Sequence, residues 1–85
     1  MAGKSLNDIR GAFYAVYSNN FELGKQEALT VAIKATEQSL LEHYRSPEGR
    51  AEIESSRYRD LSTEAAVELL MQDVRGWAKS IREAR

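Results

Sequence analysis

The apolar residues of segment 67–81 recur at alternating intervals of three and four positions. The row consists of Val67, Leu70, Val74, Trp77 and Ile81. Because an α-helix has about 3.6 residues per turn, this spacing places every member of the row on one helical face. Leu69 and Met71 widen that face on both sides. A face this broad exceeds the seam of a two-stranded coiled coil and indicates a helix of a bundle.

The rest of the chain carries the same helical periodicity, and no segment shows the alternation typical of a β-strand. The spacing predicts one helix over roughly residues 6–17 and a second from about residue 21 or 25 to residue 45. Ser46 and Pro47 predict the start of a third helix, which extends over about residues 48–59. Ser62 or Thr63 is expected to cap the last helix.

The predicted fold is therefore all-α, a small compact bundle of three to four antiparallel helices. Residues 1–85 form one domain, because 85 residues leave no room for a second. Residues 1–4 are expected to form a flexible N-terminal tail. The last helix is expected to pack on the first two, and a homodimer that shares its apolar face is kept as an alternative.

Composition argues against several classes of function. The chain has no cysteine, so thiolate catalysis, disulfides and zinc–thiolate sites are ruled out. Its 12 basic and 13 acidic residues give a net charge of −1, and neither half of the chain forms a basic patch. No run approaches the ~20 apolar residues of a membrane span. The sequence thus predicts a cytoplasmic protein with no membrane association.

No catalytic or cofactor-binding set can be assembled from the sequence. His43 is the only histidine, and a general base needs a partner that orients it as well as a substrate cleft. A metal site would need further ligands at suitable spacing, and the acidic residues are interleaved with arginines. We therefore expect that the protein is not an enzyme and uses no metal or cofactor.

Aromatic and arginine side chains, together with two apolar residues of the last helix, are the candidate functional residues. Such residues are enriched where proteins bind other proteins. The candidate interaction residues are Tyr14, Tyr17, Tyr58, Arg57, Arg59, Leu69, Met71 and Trp77. Leu69, Met71 and Trp77 are expected to lie on an apolar surface that stays open to solvent.

The hypothesis that follows is a non-catalytic protein–protein interaction module, such as a small regulator, inhibitor, adaptor or assembly subunit. Its partner is another protein. The alternative is an accessory nucleic-acid-binding protein, which would gather Arg45, Arg50, Arg57 and Arg59 on one side, most simply as a dimer. Acidic neighbours of these arginines weaken that alternative.

Overall fold

The computed structural model describes residues 6–84, and these residues form an all-α bundle, as predicted. The helices are α1 (Leu6–Asn19), α2 (Lys25–Arg45), α3 (Pro47–Glu54) and α4 (Thr63–Glu83), and a 3₁₀ turn (Phe21–Leu23) joins α1 to α2. The predicted N-terminal tail, residues 1–4, lies outside the described residues.

Helix α2 is the central element, because it packs against α1, α3 and α4. Side chains pair its two ends with the opposite ends of α4, which makes α2 and α4 antiparallel. At one end Lys25 Nζ donates to the carbonyl oxygen of Ala84 at 2.9 Å. At the other end Thr63 Oγ1 donates to the carbonyl oxygen of Tyr44 at 3.2 Å. The backbones of α1 and α4, in contrast, stay further apart.

The core lies between the three long helices. Its fully buried large side chains are Phe13, Leu29, Leu40, Val67, Met71 and Val74. The apolar row of α4 therefore packs inside the chain, as the sequence predicted, with Leu70, Trp77 and Ile81 half-buried at its border. Thr36 is buried in the same core, and its hydroxyl is the buried side-chain oxygen without a hydrogen-bond partner in residues 6–84.

Serine side chains cap both later helices. Ser46 Oγ accepts from the Gly49 amide at 3.1 Å, with Pro47 in the first turn of α3, and Ser62 Oγ accepts from the Ala65 amide at 3.1 Å. Both caps agree with the sequence. Each supplies an acceptor to an amide that has no partner within the helix.

The prediction that the third helix extends to about residue 59 is wrong, because α3 ends at Glu54. Ser55 Oγ donates to the Ala51 carbonyl and Ser56 Oγ donates to the Ile53 carbonyl. The Ser56 hydroxyl also accepts from the Tyr58 amide at 3.0 Å. These side-chain bonds compete with helix continuation and turn the chain toward α4.

Gly49 allows α3 to cross the end of α2 at close range. A Cβ at this position would lie 2.5 Å from Tyr44 Cα and 2.6 Å from the carbonyl carbon of His43. Only a residue without a side chain can bring the two backbones this close. The glycine that weakens helix propensity at this position is therefore what permits the packing of α3 on α2.

We predict that Gly49→Ala lowers the free energy of unfolding by about 1–3 kcal/mol, because the methyl group forces α3 away from α2. Gly76→Ala in α4 is the matched control, since nothing lies within 4 Å of a Cβ there. The control is expected to be stabilised by up to about 1 kcal/mol through helix propensity. Urea denaturation followed by circular dichroism measures both, and equal effects of the two substitutions would contradict the packing argument.

Candidate interaction surface

A cation–π cluster joins α1 to α4 on the outside of the core. The Arg10 guanidinium carbon lies 5.7 Å from the ring centre of Tyr14 and 5.8 Å from that of Trp77. Both rings are half-buried, whereas Arg10 is exposed. Beneath them Phe13 is fully buried, with its ring centre 6.1 Å from that of Trp77. We call Arg10, Tyr14 and Trp77 the aromatic seam.

The aromatic seam brings together two of the predicted residues and adds one that the sequence analysis did not select. Tyr14 and Trp77 were predicted, but Arg10 was not. Arg10 and Tyr14 are four residues apart on α1, so their contact follows from helical spacing. The contact of Arg10 with Trp77 depends on how α4 lies against α1, which the sequence does not specify.

Tyr17 lies further along α1 and belongs to a second aromatic pair. Its ring meets that of Phe21 edge-to-face, with the ring centres 5.6 Å apart. Phe21 is 58% exposed in the 3₁₀ turn, which makes it the most exposed large apolar residue of the described chain. The half-buried Tyr17 thus connects the core to exposed apolar surface at this end of the bundle.

The two flanking residues of the α4 row have opposite environments. Leu69 is 39% exposed, as expected for an open surface. Met71 is 0% exposed, so the expectation that it lies on an open surface is wrong. Because α4 packs mainly on α2, its buried face is centred toward Val67, Met71 and Val74, with Leu69 on the outer side.

A cleft at the other end of the bundle contains the second predicted group. Its volume is about 460 Å³, and it opens between the start of α1, the end of α3, the turn after α3 and the start of α4. Leu6, Ile9, Ile53, Ala66 and Leu70 give it apolar walls, and Tyr44, Glu52, Ser55, Ser56, Arg57 and Tyr58 supply polar groups. We call this the end cleft.

Arg57 and Tyr58 are in direct contact in the end cleft. Arg57 Nη2 donates to Tyr58 Oη at 3.1 Å, and the guanidinium carbon lies 5.2 Å from the ring centre of Tyr58. The hydrogen bond to the Tyr58 hydroxyl raises the pKa of Arg57. Arg59, the third predicted residue of this turn, is exposed and does not line the cleft.

Tyr44 forms part of the inner wall of the end cleft and is 7% exposed. Burial raises the pKa of its hydroxyl, and the nearby Glu52 carboxylate and Tyr58 raise it further. The Glu52 carboxylate is held in turn by His43, with Glu52 Oε2 2.8 Å from His43 Nε2. The single histidine thus connects α2 to α3 in this structure.

The arginines named for the nucleic-acid alternative mostly contact neighbouring side chains. Arg45 pairs with Glu64 at 3.0 Å, and Arg50 Nη1 donates to Thr63 Oγ1 at 3.1 Å. Arg57 contacts Tyr58, as described above. Arg45 and Arg57 are nevertheless exposed, so the structure leaves both within reach of solvent.

Comparisons with known proteins place no further constraint on the site. No protein-family model, curated protein or solved structure matches the chain. Within residues 6–84, no group of three or more metal-ligating side chains lies close enough to hold a metal ion. The same part of the chain contains no helix with the length and hydropathy needed to span a membrane.

The raised pKa of Tyr44 predicts a pH dependence of stability. A phenol whose pKa is higher in the folded state than its unfolded value of about 10 holds its proton more tightly when folded. Its contribution to stability is present below that pH and is lost as the pH rises through the folded pKa. Above the unfolded pKa, we expect the free energy of unfolding to fall more steeply with rising pH for the wild type than for Tyr44→Phe. Parallel stability curves for the two proteins would contradict this assignment.

Proposed function

We propose that this chain is a non-catalytic interaction module that binds a segment of another protein on the aromatic seam. The observation that supports this proposal most is the position of Arg10, whose exposed guanidinium lies over both Tyr14 and Trp77. Arginine, tyrosine and tryptophan are the residue types that contribute most to binding at protein interfaces. Here all three meet where two helices adjoin.

The geometry also indicates what the partner segment should contain. The rings of Tyr14 and Trp77 offer apolar surface, and the Arg10 guanidinium offers N–H donors that fit a carboxylate. A segment that carries apolar residues beside an aspartate or glutamate would satisfy both. Because α1 and α4 are held by α2 and the core beneath them, the seam is preformed and binding orders few side chains.

The test starts from a displayed library of peptides, from which binders to the wild-type protein are selected. Their affinities are then measured for Arg10→Gln and Trp77→Ala. Each substitution is expected to weaken binding at least about tenfold, as truncation of an interface hot spot does. Arg10 is exposed, so Arg10→Gln tests the seam without a cost to the core.

Two matched controls separate the seam from the rest of the surface. Arg59→Gln removes the same charge from a residue outside the seam, and Leu69→Ala removes exposed apolar surface from the outer side of α4. Both controls should bind the selected peptides with wild-type affinity. Peptides that bind Arg10→Gln and Trp77→Ala as well as the wild type would overturn the proposal.

Nucleic-acid binding through Arg45, Arg50, Arg57 and Arg59 stays the alternative prediction. Binding of this kind would fall steeply as the salt concentration rises, because counterions are released from the phosphates. Binding to a labelled oligonucleotide at low salt that is lost in Arg57→Gln would favour the alternative. Peptide binding that is lost in Arg10→Gln favours the seam.

The proposed module acts in the cytoplasm, since a chain without cysteine suits a reducing compartment. We propose that it binds as a single copy, because its large core side chains are buried within one chain. A homodimer formed through the same seam is the alternative, and it would appear as competition between self-association and peptide binding.

A further inference from the structure

The end cleft combines apolar walls with the hydroxyl of a buried tyrosine, and this hydroxyl has no hydrogen-bond partner within the described chain. Tyr44 is more than nine-tenths buried. Its hydroxyl forms no hydrogen bond in residues 6–84, and it is not among the oxygen atoms sealed from solvent there. The phenol lines the cleft together with Glu52 and Tyr58, and both of these residues are close enough to its hydroxyl to affect its pKa. A ligand atom that accepts a hydrogen bond would satisfy this donor.

A second set of donors lies close to Tyr44. The Tyr58 hydroxyl is near enough to Tyr44 to affect its pKa, and it accepts a hydrogen bond from Arg57 Nη2 at 3.1 Å. Arg57 uses one of its five N–H groups in that bond, which leaves others for a ligand. Tyr58 is therefore a neighbour of both Tyr44 and Arg57 in the lining of the cleft.

The cleft also contains a carboxylate, which would repel a bound anion. Glu52 also lines the cleft, but its Oε2 lies 2.8 Å from His43 Nε2 and is engaged by that contact. Arg57 in contrast is exposed at the cleft and faces an uncharged phenol. The free donors of the cleft thus include the hydroxyls of Tyr44 and Tyr58 and the Arg57 guanidinium, and the acceptor that fits donors of this kind is a carboxylate.

We propose that the end cleft binds a small carboxylic acid with an apolar body. The carboxylate accepts hydrogen bonds from Tyr44 and Arg57, and the apolar body contacts Leu6, Ile53 and Leu70. The cleft volume of about 460 Å³ lies within the range of about 300–1,000 Å³ found for small-molecule sites. This site is separate from the aromatic seam, and the proposal does not depend on the function that we propose for the seam.

The test uses 4-tert-butylbenzoate as the probe and the uncharged 4-tert-butylbenzamide as its matched partner. Backbone amide shifts of the full-length, isotope-labelled protein report where each compound binds. The benzoate is expected to shift amides of Ser55, Ser56 and Tyr58 and to bind several-fold more tightly than the benzamide. Tyr44→Phe and Arg57→Gln should each weaken benzoate binding about tenfold, the typical effect of a lost hydrogen bond to a charged group.

Controls in the same experiment separate a specific site from general apolar binding. Arg59→Gln removes a charge from the same turn but not from the cleft, and it should leave the affinity unchanged. Thermal unfolding of each variant verifies that it is folded, and Arg57→Gln tests the proposal independently of the core. Equal affinity for the two probes, unchanged affinity in Arg57→Gln, or shifts confined to the aromatic seam would overturn the proposal.

Discussion

The packing of α2 against all of the other helices is the interaction on which the rest of the structure depends. Leu29, Ala32 and Leu40 are buried between α1 and α4, and the carboxyl end of α2 receives α3 at Gly49. A domain of this size buries only roughly two thirds of the surface that its unfolded chain exposes. The helix that contacts three neighbours takes part in most of the packing between helices. The position of every candidate functional residue follows from how the other helices lie on α2.

The helices themselves could be predicted from the sequence, because periodicity and capping act locally. The 67–81 row, the Ser46–Pro47 start and the Ser62 cap all depend on residues within one or two turns of each other. The end of α3 could not be predicted this way. Ser55 and Ser56 are compatible with a helix, and their hydroxyls decide the turn only through the backbone carbonyls that they reach.

The candidate residues show the same limit of sequence reasoning. Met71 is at the edge of the spacing pattern, yet it is buried, because the direction from which α2 approaches α4 decides which side of an apolar face is covered. Arg10 carried no apolar or aromatic signal, and its contact with Trp77 exists only once α1 and α4 are assembled. The end cleft likewise joins residues from four segments of the chain.

The role of α2 can be measured directly by native-state amide hydrogen exchange. Amides that open only with global unfolding exchange most slowly. If α2 is the central helix, the slowest amides should lie in its middle, over residues 29–40, and in the facing part of α4, over residues 67–74, while α3 exchanges faster. Exchange from the middle of α2 at the rate of α3 would contradict the account, because the helix that holds its neighbours would then open before they do.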